Sequence, residues 1–235
     1  MTNSAIEIKV RERLNKLASN DYDNIECWQV VESFNKAQIE WIRRQIRGGN
    51  IFQDGDEQSG RRIDDLQKIL KPAKIAILDK GIFYETANEL PADYLEYKRV
   101  DVNATSDCCK DPRPMDVYLA EEDNRSILLR DEMKKPSFEW AETFSTLINN
   151  RIRIFTNGEF KLAGAVLTYY RFPVYIQILN CTDPYTGQVS TANVECEFKD
   201  DIIELLIDEA AAILAGDIES GGQQGRGSDS AERSN

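Results

Sequence analysis

The sequence predicts an α+β fold: an N-terminal helical hairpin and a C-terminal helix forming a helical layer, with a central antiparallel β-rich part and an extended C-terminal arm. Three observations predict it. Apolar residues recur at helical spacing near the start and again after residue 200, the period shortens to two from Ala73, and residues 216–235 are rich in Gly, Ser and Gln. Extended segments bracketed by helices, instead of alternating with them, distinguish this from a doubly wound arrangement. The regions are 1–71, helical; 72–199, β-rich; 200–215, a helix packing on the helical region; and 216–235, an extended docking tail.

Ile6, Val10, Leu14 and Leu17 mark one face of a first helix, over 4–18. Cys27, Val30, Val31, Phe34, Ala37 and Trp41 mark a longer one, over 24–47. Arg43, Arg44 and Arg47 fall in its last turn, where cations complement the negative dipole end, and Gly48-Gly49 supply a stop. Asn50 to Gly60 reads as an exposed loop whose acidic residues lack calcium-loop spacing. A short helix from Arg61 to Leu70 ends before Pro72.

From Ala73, Lys74–Asp79 and Gly81–Tyr84 read as strands, and Leu90–Leu95 as a short helix with Pro91 in its first turn. Val100 and Val102 alternate with Asp101 and Asn103 in a further strand. Arg151–Thr156, Asn157-Gly158 and Glu159–Leu162 predict a β-hairpin over 151–172, because Asn-Gly supplies the positive φ angles of a two-residue turn. The second strand continues to Tyr170, and Val174–Leu179 adds another. Ile203, Ile207, Ala210 and Leu214 form one stripe of the last helix, with carboxylates at its positive dipole end. The tail after Ala215 holds too little apolar surface to fold alone, so it is expected to thread onto a neighbouring subunit.

The composition excludes several chemistries. A chain of 235 residues without histidine lacks Ser-His-Asp and Cys-His catalysis and His-ligated zinc. The formal charge of -12 disfavours a broad basic face for nucleic acid or anionic lipid, and all of it arises after residue 71. The longest charge-free runs, such as Phe172 to Thr182, are too short to cross a bilayer. Cys27, Cys108, Cys109, Cys181 and Cys196 form no CxxC pair and are expected to be reduced thiols, the vicinal Cys108-Cys109 being without an assigned role.

Nucleotide, dinucleotide, hydrolase-elbow and zincin motifs are absent from the sequence. Asp64-Asp65, Glu121-Glu122, Asp131-Glu132 and Asp200-Asp201 are the carboxylate pairs from which a Mg-dependent hydrolase would be built. Arg43, Arg44, Arg47, Arg61 and Arg62 would serve a small helical nucleic-acid-binding module, although residues 1–71 carry no net charge. Tyr169-Tyr170-Arg171-Phe172 is better suited to packing than to base stacking, since adjacent strand residues face opposite ways. No catalytic, cofactor-binding or metal-ligating residue is assigned.

Several segments, in order, carry a resemblance: Asp21–Trp28 with Phe34–Gln45, then Leu90–Leu95, Pro136–Phe144, and Tyr169–Pro173. Over residues 5 to 215 the chain resembles structural ring proteins of crAss-like bacteriophages, and its layout is similar to head-to-tail connector or adaptor proteins of short-tailed phages. The resemblance implies a non-enzymatic virion protein at the head-tail junction, made in the host bacterial cytoplasm. It implies a homo-oligomeric ring, a dodecamer, contacting the portal protein or neighbouring tail rings, with genomic DNA passing through without sequence-specific contact and no membrane involved. An acidic bore suits such passage because it repels phosphates. The cluster Glu195, Glu197, Asp200, Asp201, Glu204, Asp208 and Glu209 is expected to face solvent, the bore or a basic partner.

Overall fold

The computed structural model describes residues 1–17, 25–47, 64–107 and 109–218. It divides into a helical unit, Met1–Lys68 with Pro173–Asn235, and a sheet unit, Ile69–Phe172. The expectations for Gly48-Gly49, the loop Asn50–Gly60, Arg61, Arg62, Cys108 and the tail beyond residue 218 lie outside the described residues.

In the helical unit, α1 (Asn3–Leu17), α2 (Cys27–Arg47) and a C-terminal helix, Asp200–Ile218, bury the stripes that their periodicity marks. Ile6 and Val10 of α1, Val30, Phe34 and Ala37 of α2, and Ile203, Ile207 and Ala210 of the C-terminal helix are fully inaccessible. The C-terminal helix packs against α2 and, over fewer residues, against α1. It continues to Ile218, three residues past the Ala215 boundary that composition suggests for the tail.

Residues 173–199 do not join the β-rich region, and Val174–Leu179 is not a strand. This segment belongs to the helical unit and forms only the isolated bridges Gln177↔Val194 and Thr182↔Val189. Asparagines of the helices hold it. Asn3, 1% exposed, donates from Nδ2 to the Gln177 and Val194 carbonyls at 2.8 Å each. Asn35 Oδ1 accepts from the Ile176 amide at 2.9 Å. Side-chain amides thus satisfy backbone groups that a sheet ladder would otherwise bond.

The sheet unit contains β1 (Leu70–Ile75), β2 (Ile77–Asp79), β3 (Phe83–Thr86), β4 (Tyr94–Ser106), β5 (Cys109–Leu119), β6 (Glu142–Ile148), β7 (Arg151–Phe155) and β8 (Lys161–Arg171), with a short helix, α3 (Arg125–Arg130), between β5 and β6. The C-terminal helix is α4. The strand order is β1-β8-β4-β5-β6-β7-β3-β2. Only Ala76 separates β1 from β2, so the two ends of this order meet and the eight-stranded sheet is nearly closed. Every pairing is antiparallel except β5 with β6.

Period-two burial fills the interior: Val100, Val102 and Ala104 of β4 meet Ile152 and Ile154 of β7 and Ala165, Leu167 and Tyr169 of β8 in one cluster. Alternation places the next residues on the opposite face. There Phe144 stacks on Phe155 with centroids 4.6 Å apart, and Phe83 and Tyr118 extend the aromatic row.

Three local expectations are corrected. The short helix does end before Pro72, with residues 64–66 helical and a 3-10 turn at Gln67–Ile69, but Pro72 is no break in the pattern: it lies within β1. Because β1 stands at an end of the strand order, it tolerates a residue without an N–H. Leu90–Leu95 is no helix: the Tyr94 amide donates to the Pro91 carbonyl at 2.9 Å, closing a turn that launches β4. Finally, the turn at Asn157-Gly158 forms, with φ of 52° and 76°, but the strands flanking it do not pair with each other. β7 lies between β6 and β3, while β8 lies between β1 and β4. The actual hairpin partner of β7 is β6, joined through Asn149-Asn150 with φ of 50° and 58°.

Candidate functional site

Among the described residues, those singled out in the sequence do not converge on one chemical centre. Starting from the acidic cluster, α4 presents its carboxylates to cations of its own unit. Asp200 Oδ1 accepts from the N-terminal ammonium at 2.8 Å, Glu204 pairs with Lys9, and Asp208 Oδ1 accepts from Arg13 Nε at 2.6 Å. Glu209 pairs with Arg44. Basic partners for four of these carboxylates are therefore supplied within the chain, while Asp200 and Asp208 still face solvent at 74% and 57% exposure.

Arg44 accordingly does more than complement a helix dipole: it compensates a largely buried carboxylate. Burial pushes the Glu209 carboxyl above its ordinary value of 4.5, and the guanidinium opposes that shift. Arg43 is exposed one residue earlier, and the side chain of Arg47 lies outside the described residues.

The carboxylate pairs also separate. Asp64 pairs with Lys199, Glu122 Oε1 accepts from Arg125 Nη1 at 2.6 Å, and Asp131 Oδ1 accepts from the Met133 amide at 3.0 Å. Each is occupied locally, and among the described residues no three His, Cys, Asp or Glu side chains gather as a metal site. The tyrosine pair behaves as packing. Tyr169 is fully buried and donates to Asp93 Oδ1 at 2.7 Å, while Lys71 Nζ reaches Asp93 Oδ2 at 2.6 Å. These contacts, Lys71 first and Tyr169 second, hold the Asp93 carboxyl below its ordinary value of 3.8. Tyr170 is 8% exposed with the Lys98 ammonium 5.9 Å from its ring centroid. Burial raises the Tyr94 phenol to about 12, so it stays protonated through the physiological range.

What stands out is apolar surface. In the sheet unit, Tyr118, Leu119, Ile127 and Leu128, with Glu121, Asn124 and Lys134 among them, line a groove of about 440 Å³ beside α3. Ile127 is 64% exposed, and farther along the chain Met133 and Trp140 are 85% and 75% exposed. The helical unit carries a second set along residues 174–189: Val174, Tyr175, Leu179, Tyr185 and Val189 all lie in solvent. Trp28 of α2 meets the Tyr185 ring edge-on, with centroids 6.0 Å apart.

Between residues 104 and 150 the sequence reveals no element beyond the motif Pro136–Phe144, so β5, α3 and β6 emerge only in the structure. The signal for α3 is Arg125-Ser126-Ile127-Leu128-Leu129-Arg130, too short for a periodicity to register. The expectation of reduced thiols throughout is also corrected, because Cys27 and Cys181 are joined in a disulfide. Their 154-residue separation hides the pair from any spacing rule.

The chain matches no protein-family model and no curated protein. Among the described residues, no helix is long and apolar enough to cross a membrane.

Proposed function

We propose that the protein is a virion structural subunit that closes into a ring at a phage head-tail junction, acting as a portal-tail connector or adaptor. The observation that carries this reading is the exposure of large apolar side chains on both units, beside α3 in one and along residues 174–189 in the other. Exposed apolar surface of this kind marks protein contacts. A cyclic ring requires two different contact surfaces on each copy, because its interface is heterologous and closes by rotation.

The chemistry agrees with assembly better than with turnover. The carboxylate pairs that a Mg-dependent hydrolase would use are engaged separately with Lys199, Arg125, the Met133 amide and the N-terminus. The ring reading carries its partners with it: copies of the same chain, a dodecamer by resemblance, the portal or adjacent tail rings, and DNA sliding past without sequence-specific contact. The net charge of -12 favours such sliding, since like charge keeps phosphates from adhering. The carboxylates of α4 that meet Lys9, Arg13 and Arg44 are not assigned to the bore, being neutralised at home.

Native mass spectrometry and electron microscopy of the purified full-length chain test the reading, alone and after mixing with disassembled particles. A closed ring of identical copies, or co-assembly with portal and tail proteins, is expected. A chain that stays monomeric at every concentration and joins no particle component overturns it, as does metal-dependent hydrolysis abolished by one carboxylate substitution.

A further inference from the structure

The helical unit is built from two stretches of chain, Met1–Lys68 and Pro173–Asn235, with the whole sheet unit threaded between them. Bringing such distant stretches together incurs loop-closure entropy, so links between them matter more than links within either. Segment 173–199 has no strand and two isolated bridges of its own. It is held by the hydrogen bonds to Asn3 and Asn35 and by burial of Ile176 and Phe198, all of them non-covalent contacts. The disulfide between Cys27, the first residue of α2, and Cys181 is a tie of a different kind, with Cα atoms 5.9 Å apart. Cys181 is 8% exposed and Cys27 half-buried, so Cys27 is the sulfur that an external reagent reaches first.

We infer that Cys27 and Cys181 form a redox-controlled latch that fixes segment 173–199 on α2, open as two thiols and closed as the disulfide. A chain made where thiols are kept reduced folds with the latch open, and it closes on meeting an oxidant. With a small disulfide such as oxidised glutathione, the Cys27 thiolate attacks one sulfur, forms a mixed disulfide and releases one glutathione thiolate. The Cys181 thiolate then attacks the Cys27 sulfur, forms the protein disulfide and releases the second. Each cysteine gives up one proton, and two electrons pass from the cysteine pair to glutathione. The latch stands independently of the ring assignment.

Closure also sets which surface is presented. The apolar side chains Leu179, Tyr185 and Val189 flank Cys181 in sequence, and the bonds from Asn180 N to Ser190 O and from Ser190 N to Cys181 O hold that loop together. With the thiols free, these bonds open more often and the surface loses its fixed shape.

The test equilibrates full-length protein in buffers of graded reduced and oxidised glutathione. Acid quenching, alkylation under denaturing conditions and peptide mass analysis then report each cysteine. Cys27 and Cys181 are expected to lose alkylation together in one two-electron transition, with Cys196 alkylated throughout. Hydrogen exchange on the same samples is expected to run at least about tenfold faster over residues 178–194 in the reduced protein, with β8 unchanged. The C27A/C181A variant should exchange at the reduced rate in both buffers, and C196A should follow the parent. Cys27 and Cys181 titrating separately or staying alkylated in oxidised glutathione overturns the proposal, and so does equal exchange in the two states. Both measurements are made on the parent protein, so they decide the question whether or not the double variant folds.

Discussion

Replacing Phe144 and Trp140 separately should divide folding from assembly, although both lie in one short aromatic motif, Pro136–Phe144. Phe144 is fully buried on β6, stacked on Phe155 at 4.6 Å with Tyr118 at 6.0 Å, whereas Trp140 is 75% exposed. Truncation of a buried phenylalanine removes its transfer free energy and leaves a cavity, together about 3–5 kcal/mol. The Phe155 ring cannot collapse into that space, because its backbone is fixed between β3 and β6 through β7. Phe144→Ala should therefore lower the urea midpoint by about 2 M, taking a slope near 2 kcal/mol per molar. Trp140→Ala should change stability by less than about 0.5 kcal/mol while weakening ring formation. Circular dichroism during urea unfolding gives the first quantity and native mass spectrometry the second. A shift below about 1 kcal/mol for Phe144→Ala, or equal destabilisation by the two substitutions, would refute the placement of these side chains.

The turn residues give a second expectation: Asn150→Val and Asn157→Val, at φ of 58° and 52°, should each cost about 1–3 kcal/mol, with glycine at either position close to neutral, measured by chemical denaturation. Asp93 has its carboxyl lowered by Lys71 and Tyr169, so its stabilising contribution is present above its unfolded value near 3.8 and is lost as pH falls through the lower folded value. Asp93→Asn should flatten the acid limb of the stability profile; an unchanged limb below pH ~4 would count against the network. Glu209 runs the other way. Its carboxyl is raised by burial, so folding is favoured most below the unfolded value of 4.5 and that advantage is lost as pH rises through the folded value. Thermal melts should show Glu209→Gln gaining on the parent from pH ~4.5 toward neutrality, and a constant difference would rule out the raised carboxyl.

How much of the fold is legible in the sequence follows from the range of each interaction. Amphipathic faces such as Ile6-Val10-Leu14 and Ile203-Ile207-Ala210 are readable because the contact that buries them repeats every three to four residues. The alternation of Val100 and Val102 with Asp101 and Asn103 is equally local, as is the positive backbone of Asn157-Gly158. These signals suffice for the α+β class and most helix positions. No candidate site is legible in the same way, since the surfaces beside α3 and along 174–189 consist of ordinary apolar residues whose exposure depends on what fails to cover them.

The helical faces, the two-residue alternation in the middle and the turn at Asn157-Gly158 are all written in residues that neighbour one another along the chain. The pairing partners of the strands on either side of that turn are set by the folded sheet. A turn dictates where the chain reverses, but hydrogen-bond partners are chosen by every strand competing for an edge. β7 is taken by β3 and β6, and β8 by β1 and β4, across separations that no local pattern encodes. The same holds for Cys27 with Cys181, Glu209 with Arg44 and Tyr169 with Asp93. Each pair is far apart in the chain and adjacent only once the chain has returned on itself, so its chemistry is a property of the fold.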